Sequence, residues 1–209
     1  MNTITLTWHG HSCFTVEAGG YSVVLDPYAP DSVPGLSPLS LSGDLVLCSH
    51  EHRDHGCREA VDLRTDGPEN PFTITKIDTF HDDADGALRG TDRIHILEAG
   101  GLKIAHLGDL GCALTARQLD RLKKLDALLI PVGGYYTIDA SQARDLAARL
   151  SPRVVIPMHY RSDTFGYPVI GQLEAYTSLC NNVIVYDTNS LTLHGTEKPQ
   201  TAVLTLKTL

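Results

Sequence analysis

Apolar and polar residues alternate from the start of the chain. TITLTW (3–8) switches at every position and SCFTVEA (12–18) does so from Phe14 on, the period of half-buried strands. A glycine turn follows, and YSVVLD (21–26) runs apolar into Asp26. Residues 27–43 are rich in proline, serine and glycine, which predicts a loop. DLVLCS (44–49) is a short buried strand, HGCREAVDLR (55–64) starts a short helix, and PFTITKIDTF (71–80) is a strand ending at His81. RIHILEA and LKIAHLGD, parted by Gly-Gly, form a hairpin. LTARQLDRLKKL (114–125) is a helix capped by Thr115 and TIDASQARDLAARL (137–150) a second, amphipathic one. DALLIPV and RVVIPMHY are buried strands; QLEAYTSLC (172–180) is helical, and residues 181–195 and 201–209 return to strands.

Strands, then alternating strand and helix, then strands again fit a layered α/β domain better than a sandwich of sheets alone or a bundle. A length of 209 residues supports one domain, 1–209. The formal net charge of −8 disfavours nucleic acid as a partner, and no apolar run reaches a membrane span. The N-terminus lacks the pattern of a signal peptide, and the five scattered cysteines form no C-x-x-C pair. Together these predict a cytoplasmic protein with reduced thiols, acting on a small-molecule substrate; a homo-oligomer stays open.

The chemistry concentrates in SHEHRDH, residues 49–55. Side chains at i and i+2 of an extended segment point the same way, so His50 and His52 can grip one cation, while His55, offset by one, faces a second. Glu51 and Arg53 face away. Three further donors follow predicted strands: His81, Asp109 between glycines, and His159. The expected arrangement is one ion on His50, His52 and His81, another on Asp54, His55 and His159, and Asp109 bridging. All donors are nitrogen or oxygen, which suits two divalent ions, zinc first, with manganese or iron also admitted.

This ordered set resembles the metallo-β-lactamase superfamily over essentially the whole chain. WHGHSCF, LDPY, HDDADGALRG, HLGDLG, PVGGYYTIDA and IPMHY narrow the resemblance to small stand-alone Zn-dependent hydrolases related to ascorbate-6-phosphate lactonase. The resemblance implies an αββα sandwich with a dinuclear site at one edge. It implies a hydrolase whose metal-bound hydroxide attacks a small ester, lactone or phosphodiester; the alternative is a non-hydrolytic metal-binding protein, a sensor or redox component, on the same fold. Asp109 in the bridging position argues against β-lactam cleavage. The resemblance also implies that Asp26 supports the metal loop, and that His11 lies near the site rim, orienting substrate or protonating a leaving group. Asp54 and His11 are thus the candidate catalytic residues. His106 is a candidate buttress of the Asp109 loop, and Arg89 could face an anionic substrate.

Overall fold

The computed structural model describes residues 3–206. In chain order the strands are β1 (Ile4–Gly10), β2 (Cys13–Ala18), β3 (Tyr21–Leu25), β4 (Leu41–Gly43), β5 (Leu45–Leu47), β6 (Val61–Leu63), β7 (Thr73–Phe80), β8 (Thr91–Ala99), β9 (Leu102–His106), β10 (Ala127–Pro131), β11 (Val154–Met158), β12 (Val183–Val185), β13 (Ser190–Leu193) and β14 (Gln200–Val203). The helices are α1 (Ala116–Arg121), α2 (Ala140–Leu150) and α3 (Leu173–Thr177). One sheet has the order β13-β1-β2-β3-β5, a larger one the order β12-β14-β11-β10-β9-β8-β7, and β4 pairs with β6 in a separate ribbon.

Burial follows the pattern of each strand. In β1, Ile4, Leu6 and Trp8 are buried while the intervening residues are partly exposed, so one face meets the core. Every residue of β10 and β11 is buried, which requires cover on both faces. The inner cover is the smaller sheet, whose Phe14, Val16, Val23 and Leu25 share one apolar cluster with Ile104, Leu128 and Ile156. The outer cover includes α2, which buries Ala143, Ala147 and Leu150. The layered α/β sandwich is therefore present. On the smaller sheet, Val24 and Cys13 pack beneath Tyr28, Val33 and Val61, with Leu36, Leu39 and Leu41 beside them. That outer layer is built from the proline-rich segment and the β4–β6 ribbon.

Five local expectations change. Residues 55–64 form a single 3₁₀ turn, Arg58–Ala60, and then β6. Cys57 offers no side-chain cap, and Val61 pairs with Leu41 and buries itself under the smaller sheet. The same pairing puts β4 inside a segment expected to be all loop. α1 keeps its Thr115–Gln118 capping box but ends at Arg121, before the left-handed Lys124 (φ 58°). α3 is confined to Leu173–Thr177. In the tail, β14 covers Gln200–Val203, and residues 207–209 lie outside the described residues.

The topology gathers strand ends. β1, β3 and β5 run in one direction, since β1–β2 and β2–β3 are antiparallel and β3–β5 is parallel. By the same reasoning β7, β9, β10 and β11 share a direction. The segments after β1, β3, β5, β7, β9 and β11 carry, in turn, His11, Asp26, the His50–His55 loop, His81, Asp109 and His159. Loops held at one end of a rigid sandwich can bring distant residues together.

Candidate metal centre

Three residues that follow directly on strands or their turns have left-handed backbones: His11 (φ 51°), Asp26 (φ 47°) and His159 (φ 53°). Such conformations are uncommon outside glycine and cluster where the surrounding structure enforces a functional geometry. Gly108 (φ 55°) brings the Asp109 loop against the others, and a Cβ there would overlap Asp92 Oδ1 and Ser49 Cβ. Gly108→Ala is expected to cost about 2–4 kcal/mol, from overpacking and backbone strain together. A urea unfolding curve measures it; a loss below about 1 kcal/mol would mean the loop shifts freely.

Three imidazoles are each anchored through Nδ1. Ser49 Oγ donates to Asp26 Oδ2 at 2.6 Å and accepts from His50 Nδ1 at 2.9 Å. His55 Nδ1 donates to Asp26 Oδ2 at 2.9 Å, and His81 Nδ1 donates to the Tyr136 carbonyl at 3.1 Å. These partners assign the proton to Nδ1 in all three and aim the Nε2 lone pairs at a common centre, as outer partners of metal-ligating histidines do. His50 Nε2, His55 Nε2, both ring nitrogens of His159 and Asp109 Oδ1 are buried without a hydrogen bond. Buried polar atoms so rarely lack partners that a cluster of them points to a missing ligand.

Asp109 lies at the middle. Its Oδ2 is 3.2 Å from both His81 Nε2 and His159 Nε2, and its Oδ1 is 3.2 Å from His55 Nε2. Burial alone would push its carboxyl up, but the charges of His159 and His55 hold it well below the usual range. At His55 burial is likewise outweighed, here by Asp109 and Asp54, which hold the imidazole well above its ordinary value. The field at the centre thus favours positive charge. His50, His52 and His81 bring donor atoms within 4.8 Å of one another, and so do His11, Asp54, His55 and His159, and His50, His55 and Asp109. Metal–nitrogen and metal–oxygen bonds of about 2.0–2.2 Å span such groups after slight contraction, so the residues fit divalent cations.

All seven expected ligands converge, and Glu51 and Arg53 are exposed as anticipated, Glu51 pairing with Arg58 at 2.7 Å. Asp26 sits under the metal loop as expected, accepting from Ser49 N at 2.6 Å besides the two bonds above. His106 accepts from Gly108 N at 3.2 Å and donates from Nε2 to the Ser12 carbonyl at 2.9 Å, buttressing the Asp109 loop. Arg89 stacks on Tyr136, its guanidinium carbon 5.6 Å from the ring centroid. His11 differs: it is 1% exposed, buried beneath the centre instead of on its rim, and burial pushes its imidazole down to about 4. The sequence reading missed Asp92, whose buried carboxylate accepts from Asp109 N and Thr79 Oγ1 at 3.0 Å each. It also missed Tyr167, whose hydroxyl lies 3.1 Å from Asp54 Oδ2. Asp92 begins a strand and Tyr167 sits in an irregular loop, so neither carries a local signal.

A layered α/β sandwich with this His/Asp constellation along one edge defines a metal-centred class of protein. The family described as "Beta-lactamase superfamily domain" matches residues 5–159, and the chain belongs to it. Among curated proteins it is similar to a UPF0173 metal-dependent hydrolase of Lawsonia intracellularis, 30% identical, with 82% of this chain and 87% of that one covered. A UPF0173 metal-dependent hydrolase of Thermoplasma acidophilum is 28% identical, with 78% and 85% covered. Among solved structures, a Thermotoga maritima protein assigned as a Zn-dependent hydrolase of the metallo-β-lactamase superfamily is 31% identical, with a TM-score of 0.76 over 96% of this chain and 98% of that one.

Proposed function

We propose that this metal-dependent hydrolase holds two divalent cations, zinc first with manganese or iron as alternatives, and cleaves a small ester, lactone or phosphodiester. His50, His52 and His81 would hold one ion, Asp54, His55 and His159 the other, with Asp109 between them. The observation that carries the reading is the set of buried donor atoms, without hydrogen bonds and crowded against one another, that converge from four separate strand ends. Bound there, the ions would bring the pKa of a shared water down to about 7 and polarise a carbonyl or phosphoryl oxygen.

The chain's own residues supply orientation and access. Asp26, Ser49 and the Tyr136 carbonyl fix the imidazoles. Asp54 stays charged, because His55 outweighs the upward push of burial. His52 is exposed, which opens that side to solvent and to substrate. Tyr136 and Tyr167 stand beside His81 and Asp54, and Arg89, partly buried over Tyr136, suits a substrate with an anionic group. The apolar core common to both sheets supports a single domain over 1–209. The net charge of −8 speaks against nucleic acid, and the free cysteines fit the cytoplasm.

A panel of esters, lactones and phosphodiesters tests the reading. Metal-loaded protein is expected to hydrolyse at least one class, with activity removed by a chelator, restored by metal, and lowered at least about 10³-fold in His50→Ala. Absence of any chelator-sensitive hydrolysis across the panel would instead support a binding or redox role.

A further inference from the structure

His11 has a role that its expected place at the rim does not explain. It occupies the tight turn between β1 and β2, where the pairing register shifts between Trp8 and Gly10. Its carbonyl accepts from Trp8 Nε1 at 3.0 Å and faces His159 N at 3.4 Å, so the left-handed backbone is pinned from two sides. The imidazole therefore points inward. Its ring centroid is 4.1 Å from that of His159 and 5.2 Å from that of His55. Its Nε2 approaches Asp54 Oδ2 at 3.3 Å. Both ring nitrogens are buried, and neither makes a hydrogen bond.

A buried imidazole loses its hydrogen bonds to water, and the surrounding fold offers this one in return only the 3.3 Å approach to Asp54, itself a proposed ligand. A group that protonates a leaving group needs an open path to substrate, and a residue 1% exposed beneath the centre has none through the surface. We propose that His11 is a direct ligand of the second ion, joining Asp54, His55 and His159, whose donor atoms lie within 4.8 Å of its own. This rests on the reading above that a second ion binds on that side. The two sides of the centre then differ. The His11 side is lined by three buried histidines and the partly buried Asp54, closer to a structural metal site, and the His50–His52–His81 side, with exposed His52, keeps the position open to solvent.

The test is Co(II) titration of the full-length metal-free protein, followed by visible absorption and by competition with a chromophoric chelator. Wild type, His11→Ala and His11→Asn are compared; asparagine suits a left-handed backbone, so the fold is kept in at least one variant. Wild type is expected to take about two equivalents, and both variants to keep the first. The second equivalent should weaken about 100-fold or more, since loss of an outer partner alone costs about 10–100-fold. Its absorption band should shift, and the rise in Tm on loading should shrink. Variants that bind the second equivalent with unchanged affinity and an unchanged band would overturn the proposal; a fall in kcat alone would then return His11 to proton transfer. A wild type that takes a single equivalent would overturn both this proposal and the dinuclear reading beneath it.

Discussion

Replacing Asp109 by asparagine is expected to lower kcat/KM at least about 10³-fold, or about 4 kcal/mol of transition-state stabilisation. The side-chain volume is unchanged and the backbone bond from Asp109 N to Asp92 is kept, so the loss is one of charge. That charge faces three imidazole nitrogens at 3.2 Å, drawn from the His50–His55 loop and from the ends of β7 and β11. Neutral asparagine turns an amide dipole toward the same nitrogens and removes the carboxylate common to both proposed ions. Metal content, measured by mass spectrometry on protein purified without added metal, should drop from about two equivalents to below about one. A variant that retains both ions and hydrolyses within about 10-fold of wild type would show that Asp109 shapes its loop and does not hold metal.

The second large effect is expected at Asp26, which touches no proposed ion. Its carboxylate is fully buried and accepts from Ser49 N, Ser49 Oγ and His55 Nδ1 at 2.6, 2.6 and 2.9 Å. Asp26→Ala strips those donors of their acceptor and is expected to cost about 3–5 kcal/mol of stability, the range for removing one partner of a buried charged pair. Freed imidazoles at His50 and His55 should also weaken metal binding about 10–100-fold. Asp26→Asn tolerates the left-handed backbone and keeps one acceptor, so it should fall between the two. The pH dependence has a definite sign. Burial would raise the Asp26 carboxyl, but His106 and then His55 hold it well below the usual carboxylate range. A folded-state pKa below the unfolded value of about 3.9 contributes stability above that pH and loses it as pH falls toward the folded value. The stability gap between wild type and Asp26→Ala should therefore be widest above about pH 5 and narrow progressively as pH falls below about 4 toward the folded-state value. A gap independent of pH would mean that the charge of Asp26 contributes nothing.

Much of the centre can be read from the chain because its parts are local. His50, His52, Asp54 and His55 are spaced so that backbone geometry alone divides them between two directions. His81, Asp109 and His159 stand out because each follows a segment with the pattern of a strand, which must end at a sheet edge. The short helix expected at 55–64 fails for the opposite reason: Val61 is claimed by Leu41 and the core beneath the smaller sheet, a contact across 20 positions that no local pattern reveals.

The residue types, their spacing and the layered class follow from the sequence itself, since side-chain chemistry and the periods of strand and helix are properties of neighbouring residues. The orientation of each nitrogen belongs to the tertiary structure. Asp92 reaches Asp109 and His50 only because β8 pairs with β9, and Asp26 reaches His55 only because β3 pairs with β5. His11 is aimed inward, instead of to the rim, by a carbonyl pinned between Trp8 and His159. Such contacts join residues far apart in the chain and exist only once both sheets share a core, so the direction of an imidazole lone pair, and with it the number of donors an ion can find, was decided by folding.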